Sequence, residues 1–257
     1  GLGTCRYMTL DDAGARGAFR RLADCKLSPT RERRVARVLS SLLMPEKEKG
    51  WVALDSQNFE FRLDKRLPDL DRARFVQSNE AIYRAVARFC GGEPPRRIRY
   101  IVGNSMFKSK ICCAEVTDEG LLALVTTQLD CPPGHQMTHA VSLPVLQPRR
   151  YVPLFVEGLA VYLDQLEKDH LRAAFAVVQE MELEVSIDDL WQDWHCLPPE
   201  VALPVAGAFT DCLVREGGHE KYLELFRDPG RDNAERLYGA ERLAGWIREF
   251  EGVFPKQ

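Results

Sequence analysis

Two histidines one helical turn apart have the clearest potential for chemistry in this sequence. His135 and His139 are separated by four positions, and residues i and i+4 lie on the same face of an α-helix. Two imidazoles placed in this way can both direct a ring nitrogen at one metal ion, at about 2.0–2.1 Å for zinc. Such pairs also occur by chance, so one solvated and one packed histidine is the alternative interpretation.

Glu157 is the candidate for a third ligand, eighteen residues after His139. It begins the segment Glu157-Gly158-Leu159-Ala160-Val161-Tyr162, whose apolar residues are typical of a packed helix. A helix beside the first could bring this carboxylate to the same ion. Two histidines and one glutamate would leave the fourth position of a tetrahedral zinc ion open, as in catalytic zinc sites.

These segments resemble the gluzincin branch of the zinc metallopeptidases, in particular the peptidase-MA-like proteins. The signature of that family is HExxH followed by a glutamate within an EGxAxY helix, which places His135, His139 and Glu157 at the ligand positions. The resemblance covers roughly residues 70 to 250, and only the metal motif is highly specific. The other similar segments are residues 98–102, 121–127, 206–209, 217–222 and 237–239, with Trp246.

The resemblance implies a zincin-like fold, a Zn²⁺ ion held by His135, His139 and Glu157, and zinc-dependent hydrolysis of peptide bonds. It also implies that a peptide or protein substrate lies extended along an edge strand of the sheet and adds to it by β-pairing. Residues 121–127 resemble that edge strand.

Gln136 stands where the family has its general base, a glutamate that takes a proton from the attacking water. An amide has no useful basicity, and general acid–base catalysis contributes about 10²–10⁴-fold, so we expect an inactive or weakly active form. Two origins of the glutamine are open. It is either a substitution made to trap an inactive enzyme, or a natural change in a catalytically dead homologue that acts as a peptide- or protein-binding module.

Two further departures from the family favour natural divergence. The sequence Cys-Pro-Pro-Gly at residues 131–134 replaces an apolar helical turn before the first histidine. Val161 stands where many relatives carry an acidic residue that supports a ligand histidine. Cys131 could reach the metal if the helix began early, although a buried thiol is the simpler interpretation. A third hypothesis is a metal-free helical domain in which the histidines are incidental, and it predicts no bound zinc.

Other polar residues near the motif have weaker functional interpretations. Tyr151 could stabilise an oxyanion, and the pair Arg149-Arg150 could meet a substrate carboxylate. Tyr162 is predicted to lie in the core. The remaining histidines are predicted to be surface or helix-capping residues, namely His170, His195 and His219.

Hydrophobic periodicity predicts helices, then a small sheet, then helices, and this segregation is typical of an α+β fold. We therefore expect a mainly helical protein with a small mixed sheet before the metal-binding helices. Residues 1–50 are predicted to form an N-terminal helical hairpin and residues 51–257 the peptidase-MA-like domain. The predicted elements of that domain are a β segment at 51–63, a helix at 69–90, strands at 98–102, 111–116 and 121–127, and helices after Pro132-Pro133.

Composition excludes few functions. The 257 residues are 45% hydrophobic and 28% charged, which is ordinary for a globular protein. A net charge of −3 gives no electrostatic reason to expect nucleic acid or an anionic membrane as a partner. No apolar run reaches membrane-spanning length and no signal peptide opens the chain, so a soluble protein is expected and the compartment stays open.

Overall fold

The computed structural model describes residues 51–65, 67, 71–102, 112–117, 120–126, 133–164 and 169–255. The predicted N-terminal hairpin at residues 1–50 lies outside these residues, as does Cys131. The chain divides into two compact units, the first ending at Val145 and the second beginning at Leu146. The predicted domain boundary at residue 50 stays a prediction.

The first unit contains a five-stranded sheet in the order β1-β2-β3-β5-β4. Strands β2, β3 and β5 are parallel to one another, whereas β1 and β4 are antiparallel to their neighbours. The sheet is therefore mixed, as predicted. The single predicted β segment at 51–63 is a pair of strands, because the polar residues 56–58 form a turn within it. The strands are β1 Trp51–Asp55, β2 Phe59–Asp64, β3 Ile98–Val102, β4 Cys112–Thr117 and β5 Gly120–Thr126.

The prediction that residues 121–127 form the edge strand is wrong. Strand β5 pairs with β3 on one side and with β4 on the other. Strands β4 and β5 pair in antiparallel register, with Thr117 opposite Gly120, so that β4 lies outside β5. Within the described sheet, a peptide that adds on this side would therefore pair with β4.

Helix α1 (Arg72–Cys90) has the cap residues expected for its bounds. The side chain of Asp71 accepts a hydrogen bond from the backbone N–H of Arg74 at 3.1 Å. Gly91 ends the helix in the left-handed region at φ +73°, as the predicted stop at Gly91-Gly92 requires. Tyr83 of this helix packs edge-on against Phe59 of β2 with ring centroids 5.6 Å apart, which joins the helix to the aromatic core over the sheet.

A buried carboxylate also holds α1 to the turn between β1 and β2. Oε1 of Glu80 accepts hydrogen bonds from the Ser56 hydroxyl at 2.6 Å and the Asn58 backbone N–H at 2.9 Å. Oε2 accepts from Nδ2 of Asn58 at 2.8 Å. Burial alone would raise the pKa of Glu80, but these hydrogen bonds and the positive charge of Arg84 together hold that pKa below its ordinary value.

We predict that Glu80→Gln lowers the free energy of unfolding at pH 7 by about 1–3 kcal/mol, because the amide turns a donor toward groups that already donate. The folded-state pKa of Glu80 lies below the unfolded value. Its contribution is therefore complete above the unfolded pKa and is lost as the pH falls through the folded pKa. Urea unfolding at pH 7 and in acid should show this pH dependence in the wild type and a weaker one in the variant.

Glu93→Gln is the matched control for this prediction, since Glu93 is exposed in the loop after the same helix. It should leave the free energy of unfolding within about 0.5 kcal/mol of the wild type. Wild-type stability of Glu80→Gln at pH 7 would contradict the role assigned to this carboxylate.

The described residues from 133 onward are mainly helical, as predicted, and the α+β fold is confirmed. The first unit ends in helix α2, and in the second unit α3 and α4 pack against the long helix α6. The predicted breaks are present, since Pro199 begins α6 and Pro229-Gly230 separates α7 from α8. None of the described helices is both long and apolar enough to cross a membrane. The helices are α2 Pro133–Leu146, α3 Pro153–Tyr162, α4 His170–Met181, α5 Ile187–Gln192, α6 Pro199–Gly217, α7 His219–Arg227, α8 Arg231–Tyr238 and α9 Ala240–Glu251.

Candidate metal centre

Helix α2 carries the histidine pair. It begins at Pro133, two residues before His135, where proline is compatible with the first turn of a helix. The Thr138 hydroxyl donates to the Gly134 carbonyl at 2.8 Å within this turn. The other side of the helix is fully buried, through Met137, Ala140 and Val141.

His135 and His139 converge as their spacing predicts. Their Nε2 atoms are 3.3 Å apart, and the ring planes are inclined at 87°. Two nitrogens that each lie 2.0–2.1 Å from one tetrahedral zinc ion would be about 3.3–3.4 Å apart, so the observed separation fits a shared ion. A hydrogen bond between the two rings would give a similar distance, and the identity of the third neighbour therefore matters.

Glu157 is that third neighbour. The ligand atoms of His135, His139 and Glu157 all lie within 4.8 Å of one another, which makes a group that could hold a metal ion. In the described part of the chain no other three histidine, cysteine or acidic side chains come together in this way. Two imidazoles and one carboxylate suit several divalent ions, zinc among them, so the donor set fits a metal without identifying it.

A tyrosine contacts the candidate ligand Glu157. The Tyr151 hydroxyl donates to Oε1 of Glu157 at 2.7 Å, although 58% of Tyr151 is exposed. Loss of water around the hydroxyl raises the pKa of Tyr151, and the negative charge of Glu157 and the hydrogen bond raise it further. The hydroxyl is therefore a protonated donor at neutral pH. Sequence reasoning named Tyr151 only as a possible oxyanion donor and missed this contact.

Close packing of α3 on α6 holds the backbone around Glu157. A Cβ atom on Gly158 would lie 2.5 Å from the Thr210 hydroxyl oxygen and 2.7 Å from the Ala206 carbonyl oxygen. A Cβ on Gly207 would lie 2.4 Å from Cγ1 of Val161. Both glycines are therefore required by the close approach of the two helices, and Gly158 fixes the backbone directly after the candidate ligand.

A buried tyrosine joins α7 to both of these helices. The Tyr222 side chain is fully buried, and its hydroxyl oxygen lies 3.2 Å from Oγ1 of Thr210 in α6. The same hydroxyl donates to the Phe155 carbonyl of α3 at 3.3 Å. The helix pair α6–α7 contains residues 206–209 and 217–222, and it supports the ligand-bearing helix through Tyr222.

We predict that Tyr222→Phe lowers the free energy of unfolding by about 0.5–1.5 kcal/mol, because it removes a buried hydroxyl that donates to the Phe155 carbonyl and contacts Thr210. Tyr238→Phe is the matched control, since the buried Tyr238 hydroxyl has no hydrogen-bond partner among the described residues. That change should be neutral or slightly stabilising in urea unfolding. Equal losses in the two variants would contradict the interpretation.

The predicted basic pair lies at the start of the second unit. Arg149 Nη1 forms a salt bridge with Asp228 Oδ2 at 2.8 Å. The Arg150 guanidinium lies against Gly230, where a Cβ would be 2.6 Å from Nη2. Arg149 is therefore already engaged within the fold, and recognition of a substrate carboxylate by this pair stays a prediction.

The predictions for the other histidines and for Tyr162 are only partly correct. His195 is exposed, as predicted. His170 is buried, with 7% of its surface exposed, so the prediction of a surface or capping residue is wrong. It is the first residue of α4 and belongs to the buried stripe that continues one and two turns later at Ala174 and Val178. Tyr162 is only partly buried, and its ring contacts His170 with centroids 5.6 Å apart.

The fold and this residue group define an α+β protein with a possible metal-binding group. No protein-family model matches the sequence, and no curated protein is significantly similar to it. A relation to the gluzincins therefore stays a prediction from the residues and motifs named above.

Proposed function

We propose that this chain is a zinc-metallopeptidase-like protein in which His135, His139 and Glu157 hold the metal. The proposal rests above all on the 3.3 Å separation of the two Nε2 atoms, in a group whose ligand atoms all lie within 4.8 Å of one another. Zinc, when bound, would supply a Lewis acid that polarises the carbonyl of a peptide bond. The remaining chemistry depends on side chains of the protein.

Gln136 limits that chemistry. It follows His135 on α2 and is partly exposed, and the resemblance to gluzincins assigns the general base to this position. A glutamine amide can orient a water molecule or a substrate by hydrogen bonds, but it cannot accept a proton at neutral pH. The chain as it stands is therefore an inactive or weakly active peptidase.

The proposed partner is a peptide or protein substrate that binds in an extended conformation. Within the described sheet β4 pairs with β5 on one side only. An extended peptide could continue the sheet on the other side of β4 through backbone hydrogen bonds, which is a common mode of peptide binding. This geometry supports β4 in the role that the resemblance assigned to residues 121–127.

Bound metal is the direct test of this proposal. Protein purified without added metal or chelator is expected to contain about one zinc ion per chain by elemental analysis, as a single three-ligand site requires. Absence of zinc, even after incubation with excess zinc, would overturn the proposal. It would favour the metal-free helical domain in which the histidines are incidental.

A second candidate function is a catalytically dead binding module, and the packing of Val161 favours it. Val161 replaces the acidic residue of many relatives and lies directly over Gly207 of α6. A substitution made only to trap an enzyme would leave such helix packing unchanged, so this residue favours natural divergence. A native gene that encodes glutamine at position 136, together with peptide binding without turnover, would support this function.

A further inference from the structure

The hydrogen bond between Tyr151 and Glu157 has a geometry that indicates more than incidental packing of a surface side chain. Its 2.7 Å length is that of a charge-assisted hydrogen bond from a hydroxyl to a carboxylate. The Tyr151 ring is largely exposed, so burial of the aromatic ring does not explain its position. The hydroxyl is the part of the side chain that makes a directed contact.

The backbone between the two residues favours a fixed direction for this contact. Val152 is extended, with φ −115° and ψ 108°, and Pro153 begins α3 with its φ locked by the ring. Tyr151 therefore precedes a stiff helix start, whereas Glu157 lies one turn into the helix. The hydrogen bond connects the segment before the helix to the Glu157 side chain, which contains three rotatable bonds.

A carboxylate that is held in this way is better prepared to bind a metal. Glutamate loses up to about 1.5–2 kcal/mol of side-chain rotational freedom when it is fixed, and a hydrogen bond that fixes it beforehand reduces this cost at the moment of binding. A carboxylate has two oxygens, so it can accept a hydrogen bond from Tyr151 and bind a metal ion at the same time. Hydrogen bonds to ligating carboxylates typically change metal affinity by about 10–100-fold.

We propose that Tyr151 is a positioning residue that orients the Glu157 carboxylate for metal binding. This inference rests on the proposed function, in which Glu157 is a metal ligand together with His135 and His139. It assigns to Tyr151 a role that acts before any substrate binds. That role differs from stabilising an oxyanion. If Tyr151 only stabilised an oxyanion, its removal would leave the metal affinity unchanged.

Zinc affinity is the measurement that tests the proposal, by competition with a chromophoric zinc chelator on the full chain. Tyr151→Phe keeps the ring and removes the hydroxyl, and it is expected to weaken zinc binding by about 10–100-fold. Tyr238→Phe removes a hydroxyl that has no hydrogen-bond partner among the described residues, and it should leave affinity unchanged. Because the Tyr151 ring is largely exposed, Tyr151→Phe should unfold at the wild-type urea concentration.

A double-mutant cycle separates positioning from a general structural effect. In a Glu157→Ala background, Tyr151→Phe should weaken zinc binding by less than about twofold, because the hydroxyl then has no ligand side chain to orient. The same loss in both backgrounds would overturn the inference. A Tyr151→Phe variant with wild-type zinc affinity would also overturn the inference, while the proposed function would stand. A wild-type chain that binds no zinc would overturn the proposed function and the inference with it.

Discussion

Replacing Gln136 with glutamate is expected to raise the rate of peptide hydrolysis by about 10²–10⁴-fold, the usual contribution of a general base. The substitution is nearly isosteric, and Gln136 is partly exposed on α2, so the helix should tolerate it. A carboxylate at this position could take a proton from the attacking water and pass it to the leaving amine. The measurement is cleavage of a broad peptide library by zinc-loaded protein, with and without a chelator.

Two variants control this experiment. Gln136→Asp also introduces a carboxylate, but on a side chain that is one methylene shorter. Its rate gain should be much smaller if catalysis depends on where the carboxylate lies relative to the attacking water. Gln136→Glu combined with His135→Ala should be inactive, because the base then has no metal partner. A zinc-loaded Gln136→Glu variant that binds peptides without cleaving any would contradict the peptidase and support the binding module.

His135→Ala is expected to abolish tight zinc binding. It removes one of three proposed ligands, so the loss should exceed the roughly 10–100-fold cost of losing an outer-shell partner. His135 is partly exposed, whereas His139 is buried, and the change at His135 is therefore the less disruptive of the two. Elemental analysis of the purified variant and chelator competition would measure the effect.

The control for this variant is His195→Ala. His195 is exposed in the short 3₁₀ turn before α6, and its loss should leave zinc content at the wild-type level. Full zinc occupancy in His135→Ala would show that the zinc ion is held by other residues. Loss of zinc in both variants would indicate a nonspecific effect of removing an imidazole.

Local sequence signals predicted the secondary structure well. Strand β3 has the predicted bounds, Ile98–Val102. Large apolar residues recur there at every second position, and polar segments flank them. Helix α1 ends at the predicted glycine, since Gly91 can adopt the left-handed conformation that stops a helix. These features depend on neighbours in sequence, which is why they are accessible without a structure.

Contacts between distant residues were not predictable in the same way. The mainly apolar segment at residues 121–127 predicted a strand but could not show that β4 would pair outside it. The amphipathic sequence around His170 predicts a surface or capping residue, yet its place on the inner stripe of α4 buries it. In each case the deciding partner belongs to another element of the fold.

The candidate site was predictable in part. The four-residue spacing predicted the convergence of His135 and His139, and the resemblance to gluzincins supplied Glu157. The hydrogen bond from Tyr151 to Glu157 crosses the start of a helix, where periodicity gives no register. The support of α3 by Tyr222 depends on three helices at once and leaves no recognisable pattern in the sequence.

The glycine contact beneath α3 limits how this helix can adjust to a change at Glu157. Gly158 lies so close to Ala206 and Thr210 that α3 cannot move toward α6 to compensate for a change at Glu157. An aspartate at 157 would carry its carboxylate on a side chain shorter by one carbon–carbon bond, about 1.5 Å. In the proposed site this exchange would preserve the charge but shorten the reach of the third ligand, and closer packing of α3 on α6 could not offset the loss.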